Sequence, residues 1–150
     1  MAVSENEKKK IELKITLSEP PYLCAFVVQK KTKTHIRTMS QITTHILDTS
    51  KGKPVNGVKV YLYKAEKDDW TQIAWGTTNE DGRVRELLPT DDPLPRGNYK
   101  LKFEIKDYFD KAWIPTFYPF IEIVFEIQSA DHYHIPLLLN PFGYSTYRGS

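Results

Sequence analysis

The side chains best suited to chemistry in this 150-residue sequence are three histidines, His45, His132 and His134. His132 and His134 stand two residues apart on an expected strand and therefore project from one face, where imidazoles serve as bases or as metal ligands. With His45 as a third ligand they would form a three-histidine zinc site with one position open to water. No carboxylate nearby in the sequence offers itself as the outer partner that such ligands use, and the single Cys24 excludes a cysteine-based zinc site. A strand histidine taken alone is about as often a half-buried side chain bonded to backbone as a functional one. An acid–base role therefore needs further groups to join it.

Two further segments supply candidates. Arg83 follows the turn residues Asp81-Gly82, and alternation sets Arg83 and Arg85 on one face of their strand. An arginine there is more often a solvated surface residue than an anion clamp. It becomes a binding residue only for a ligand with a planar, anionic edge that a guanidinium can hold through two hydrogen bonds. The ending Ser145-Thr146-Tyr147-Arg148-Gly149-Ser150 is polar and aromatic, and it carries a hydroxyl and a carboxylate to wherever the last strand points. A Gly-Ser ending is equally a cloning remnant on composition alone.

These candidates must be positioned by strands. Tyr99, Leu101, Phe103 and Ile105 alternate with Lys100, Lys102, Glu104 and Lys106, which gives one apolar and one wet face. Ile121, Ile123, Phe125 and Ile127 repeat the pattern, as do Val58, Val60 and Leu62. Turn chemistry separates the strands at Asn56-Gly57, at Asn79-Glu80-Asp81-Gly82 and at Pro95-Arg96-Gly97-Asn98. Strands are expected to begin near Ile42, Val58, Thr71, Arg83, Tyr99, Phe120, Tyr133 and Tyr144, a spacing that suits a β-sandwich. One short helix is expected from Asp107 to Trp113, capped by Asp107 and stopped by Pro115. The last strand carries little charge to blunt it, so pairing with another copy is expected.

Composition sets the outer bounds. Hydrophobic residues at 40% and charged residues at 27% describe one globular domain with a real core. A net charge of +2, with bases and acids interleaved, leaves no electrostatic footprint for nucleic acid. No apolar run reaches the ~18 residues a membrane helix needs. Residues 1–38 differ from the remainder, with Lys8-Lys9-Lys10 and Lys30-Lys31-Thr32-Lys33, and read as an N-terminal extension. The domain is expected at 39–150, and Met39 could itself start it. The short apolar stretch Tyr22 to Val28 lacks a cleavage pattern and reads as a strand or a buried segment.

From about Gln41 to Ser150 the sequence resembles the 5-hydroxyisourate hydrolases, the enzyme branch of the transthyretin-like family. The resemblance rests on Thr44-His45-Ile46-Leu47-Asp48-Thr49, on His132-Tyr133-His134-Ile135-Pro136-Leu137-Leu138-Leu139 followed by Pro141-Phe142-Gly143-Tyr144-Ser145-Thr146, and on the terminal Tyr147-Arg148-Gly149-Ser150. It implies a mostly β fold, a transthyretin-like two-sheet sandwich of about eight strands with one short helix. It further implies catalytic His45, His134 and Ser150, substrate contacts from Arg83, Tyr147 and Arg148, and no metal or other cofactor. His132 becomes a neighbour of the site. The implied substrate is 5-hydroxyisourate, whose six-membered ring is opened by water to give an imidazoline carboxylate. The implied assembly is a homotetramer, a dimer of dimers with active sites where the dimers meet. Asn140 departs from the serine of many relatives and keeps a polar side chain at a turn. The alternative within the family is a thyroid-hormone carrier without catalysis, which lacks the His45 motif residue and the terminal tetrapeptide. A plain strand-pairing sandwich, and a bifunctional enzyme with an upstream decarboxylase domain, fit less well. No signal peptide and no Ser-Lys-Leu ending is seen, so the cytoplasm is the expected location, with the peroxisome as the alternative.

Overall fold

A computed structural model of the chain describes residues 40–88 and 93–149. The N-terminal extension 1–38, Met39 and Ser150 lie outside the described residues. In chain order the elements are β1 (Ile42–Asp48), β2 (Lys53–Pro54), β3 (Lys59–Glu66), β4 (Asp69–Thr77), β5 (Arg83–Val84), β6 (Gly97–Glu104), α1 (Lys106–Lys111), β7 (Ile121–Ile127), β8 (Tyr133–Asn140) and β9 (Gly143–Thr146). The eight strands anticipated from alternation are present, each beginning within two residues of its expected start. The additional one, β2, is a two-residue exposed pairing that has no alternation to read.

The strands form two sheets. One has the order β2-β1-β8-β9, with β5 also paired to β1, and the other has the order β4-β3-β6-β7. Every pairing is antiparallel except β1 with β8, which run parallel over seven residue pairs from Ile42↔Tyr133 to Asp48↔Leu139. A parallel pair needs a long crossover, and here the second sheet lies within it. The facing sides of the sheets make the core: Ile42, Ile46, Ile135 and Leu137 from one, Val60, Leu62, Leu101, Phe103 and Ile121 from the other, with Phe109 of α1 alongside. Each such side chain fully buried contributes about 1.5–3 kcal/mol. Among the described residues no helix is long and apolar enough to cross a membrane.

The end of β1 is fastened by a buried charge. The Asp48 side chain is fully buried, and its Oδ1 accepts hydrogen bonds from the Ser50 hydroxyl at 2.5 Å and the Ser50 amide at 2.9 Å. Its Oδ2 accepts one from the Tyr108 hydroxyl of α1 at 2.7 Å, and Lys51 Nζ stands 3.6 Å away. Burial alone pushes this carboxyl up, but the bonds from Ser50 and Tyr108 and the Lys51 charge outweigh it and hold the group below the usual aspartate value.

The helix corrects two sequence expectations. It begins at Lys106, behind an Ile105 that makes no side-chain cap, and Asp107 lies in the first turn rather than at the cap. There its charge favours the helix dipole. Nor does Pro115 end the helix. The amide of Ile114 donates to the Phe109 carbonyl and that of Trp113 to Asp110, with Trp113 at φ 57°. This is a Schellman ending with tryptophan where glycine is usual. The indole is 93% exposed, so no packing offsets the left-handed backbone.

Trp113→Gly should therefore raise folding stability by about 0.5–1 kcal/mol, since a left-handed non-glycine residue costs about 1–2 kcal/mol and glycine returns part of that as chain entropy; equilibrium urea unfolding would show an unchanged or lower midpoint if the strain is absent. Asp48→Asn should cost about 2 kcal/mol at neutral pH. Because the folded Asp48 has the lower pKa, its contribution is present above the unfolded aspartate value and fades as pH falls through the folded one. The native and variant proteins should thus converge in stability in acid, and a pH-independent gap would contradict the assignment.

Candidate active site

Period-two alternation divides the first motif between two tasks. Along β1, Ile42, Thr44, Ile46 and Asp48 are buried while Thr43, His45 and Leu47 lie on the outer side of the sheet. The parallel register sets Thr43 beside His134 of β8, and on the other side of β1 the antiparallel register sets His45 beside Arg83 of β5. Paired residues share a face, so Thr43, His45, Arg83 and His134 converge on one outer surface. Thr44, of the same motif, points inward and donates from its hydroxyl to the Ile135 carbonyl at 2.7 Å.

Arg83 is aimed by a tight turn. Asn79 Oδ1 accepts from the amides of Asp81 and Arg83, while Gly82, at φ +72°, passes so close to β1 that a Cβ would lie 2.5 Å from the Ile46 carbonyl oxygen and 3.0 Å from His45 Cδ2. Only glycine allows this approach. Of the two arginines on this face, Arg85 pairs with Asp81 at 3.3 Å. No ion pair is formed by Arg83 among the described residues, and its charge faces the two histidines.

A cleft of about 360 Å³ is walled by Thr43, Arg83, Arg85, His132 and His134, together with Ser40, Thr44 and Val84, a size that suits a small molecule. His45 stands next to it, paired to Arg83. Partial burial lowers the His134 pKa below its ordinary 6.5, and the charges of Arg83, His132 and His45 lower it further. Burial and Arg83 likewise lower His45, against a hydrogen bond to the Asp81 backbone and the Asp81 charge. Both imidazoles are thereby kept neutral near pH 7, which is the form a general base requires. The same positive surroundings disfavour a bound cation, and among the described residues no three His, Cys, Asp or Glu side chains gather as metal ligands.

The C-terminal segment reaches the same place through its backbone. Gly149 N donates to the His134 carbonyl at 2.9 Å, and a Cβ on Gly149 would meet His134 Cδ2 at 2.6 Å. The ending is thus seated against the imidazole, while Ser150 itself lies outside the described residues. Tyr147 and Arg148 are placed elsewhere in the single chain. The Arg148 guanidinium lies 5.0 Å from the Tyr133 ring centroid, and both residues line a second cleft along β7 and the start of β8. The structure therefore unites His45, Arg83, His134 and the backbone of Gly149, and sets the Tyr147 and Arg148 side chains at the edge of the sandwich. Thr43 and Gly149 escaped the sequence reading as site residues. For Thr43 the signal was available, since alternation puts it on the face of His45.

Residues 42–149 match the model of the HIUase/Transthyretin family. A probable 5-hydroxyisourate hydrolase of Caenorhabditis elegans is 43% identical over 112 residues, 74% of this chain and 82% of that protein. The structure of Klebsiella pneumoniae 5-hydroxyisourate hydrolase superimposes with a TM-score of 0.63 at 38% identity, over 73% of this chain and 98% of the other. Sea bream transthyretin in complex with thyroxine gives 0.69 at 33% identity, over 73% and 95%. By sequence and by fold alike, the chain belongs to the HIUase/Transthyretin family.

Proposed function

We propose that this chain hydrolyses 5-hydroxyisourate. The observation that carries the reading is a pair of histidines held neutral beside Arg83, the three brought by β1, β8 and β5 to the outer face of one sheet. It is supported by relatives bearing that enzyme name, the C. elegans protein among them. Ring opening requires that a water lose a proton as it attacks a carbonyl, that charge on the oxygen be held, and that a proton reach the leaving nitrogen. His45 and His134 supply the proton transfers, Arg83 holds the anionic substrate and its developing charge, and Ser150, joined to the seated Gly149, completes the constellation. A hormone carrier on the same fold would have no use for this arrangement, because function resides in the site rather than in the sandwich.

Assembly belongs to the same proposal. The strands β7 and β9 are edges of their sheets, and β7 exposes Val124 at 60% while β9 is largely exposed. Unprotected edges favour pairing between copies, and a homotetramer built as a dimer of dimers would bring Tyr147 and Arg148 toward a shared site.

Generated in place from urate by urate oxidase, 5-hydroxyisourate should lose its ultraviolet absorbance faster with the protein than alone. His134→Ala and His45→Ala should each lower turnover ~100-fold or more, and native rates in both variants would refute their assignment. Since neutral imidazole is the working base and both pKa values are lowered, activity should be full at neutral pH and fall only as pH drops below 6.5; an acid limb in kcat/KM above that value would contradict the environment described. Gly149→Ala should lower kcat by roughly 10- to 100-fold through displacement of the ending from His134, at nearly unchanged melting temperature.

A further inference from the structure

The hydroxyl of Thr43 lies 2.9 Å from His134 Nδ1 and also 2.9 Å from His132 Nε2. It bridges two imidazoles whose rings are within 13° of parallel, with centroids 6.5 Å apart. One hydroxyl has one hydrogen to donate, so the bridge has a direction, set by the tautomers of the two rings. A hydroxyl that donates to His132 must accept from His134, so in the direction that links all three groups Nδ1 of His134 carries the proton and donates to Thr43. The Thr43 hydroxyl then gives its own hydrogen to His132 Nε2, which leaves His132 protonated on Nδ1 and His134 with a bare Nε2.

Resting on the hydrolase reading, we propose that Thr43 and His132 form a proton relay behind His134, carrying the proton taken from the attacking water out of the cleft to His132. In the step, water gives a proton to His134 Nε2 as its oxygen bonds to the substrate carbonyl. His134 passes its Nδ1 proton to Thr43 Oγ1, and the Thr43 hydroxyl proton moves to His132 Nε2. Three proton transfers leave His134 and Thr43 neutral, His132 an imidazolium, and the former water bonded to the substrate.

The surroundings give the relay its purpose. A positive His134 would be half-buried and would face Arg83 from β5 and His45 from β1. Arg85 also lines the cleft, with its charge countered by Asp81. His132 is exposed to water and adjoins Asp131, whose carboxylate accepts from the Ser129 hydroxyl. Charge moved to His132 is solvated rather than half-buried. Thr43 is a positioning residue, since it acts on substrate only through His134. It sits on the outer face, so a valine of the same shape leaves the core untouched.

Two measurements on the full chain test this. Long-range proton–nitrogen NMR without substrate should find His134 in the Nδ1–H tautomer, and Thr43→Val should shift that population; a native His134 protonated on Nε2 overturns the relay. In the hydrolysis assay, Thr43→Val and His132→Phe should each lower kcat by roughly 10-fold or more with KM held, and Thr43→Ser should restore it. Native kcat in both the valine and the phenylalanine variants also overturns it. A native chain that leaves 5-hydroxyisourate decay at its spontaneous rate refutes the hydrolase reading instead, and the tautomer measurement still decides the bridge.

Discussion

The parallel ladder between β1 and β8 is the constraint on which the other features depend. It joins two segments from opposite ends of the domain, and both flanks of the pair remain available: β1 accepts β5, with Arg83, and β8 accepts β9 and the bridge to Gly149. A slip of one residue would turn His45 inward and Ile46 outward. The register is held against such a slip by Ile42, Thr44, Ile46 and Asp48, which are all fully buried. Residues of the core thus aim those of the outer face. The first motif is a run in which alternate positions serve the core and the surface.

Much of this was legible in the sequence, because alternation reports a half-buried strand directly. Tyr99, Leu101 and Phe103 are buried as their spacing requires, and so are Ile121 and Ile127. Partnership is not legible in the same way. Nothing local says that β1 lies beside β8 or that β2 exists, since pairing is settled by tertiary packing rather than by propensity. The helix boundary misled for a related reason: Asp107 is a good capping residue by type, but Ile105 is buried in the core and fixes where the helix begins. At the site, the histidines and Arg83 drew notice by their chemistry. Thr43 did not, because threonine is an ordinary strand residue and its double hydrogen bond exists only once His132 and His134 are beside it.

The electrostatics of the site oppose protonation from several directions. Arg83 is placed on β5 by a glycine turn that packs against His45 itself, so the group suited to hold an anion also adds to the burial that keeps the neighbouring bases neutral. The sandwich beneath is shared with a thyroxine-binding relative, and the outer face of the β1 and β8 sheet is where side chains can differ without disturbing the core between the sheets.

Distance along the chain adds a consequence for the order of events in folding. Thr43 and His134 are 91 residues apart, and the hydrogen bond between them closes a loop that contains the whole second sheet. Contacts of such separation form late, because the entropy of closure is lost before the ladder can reward it. Local hairpins such as β3 with β4 can assemble while the site does not yet exist in any part. Catalytic competence in this architecture therefore cannot precede the finished domain, and its appearance during refolding would set the latest time for the joining of the first strand to the eighth.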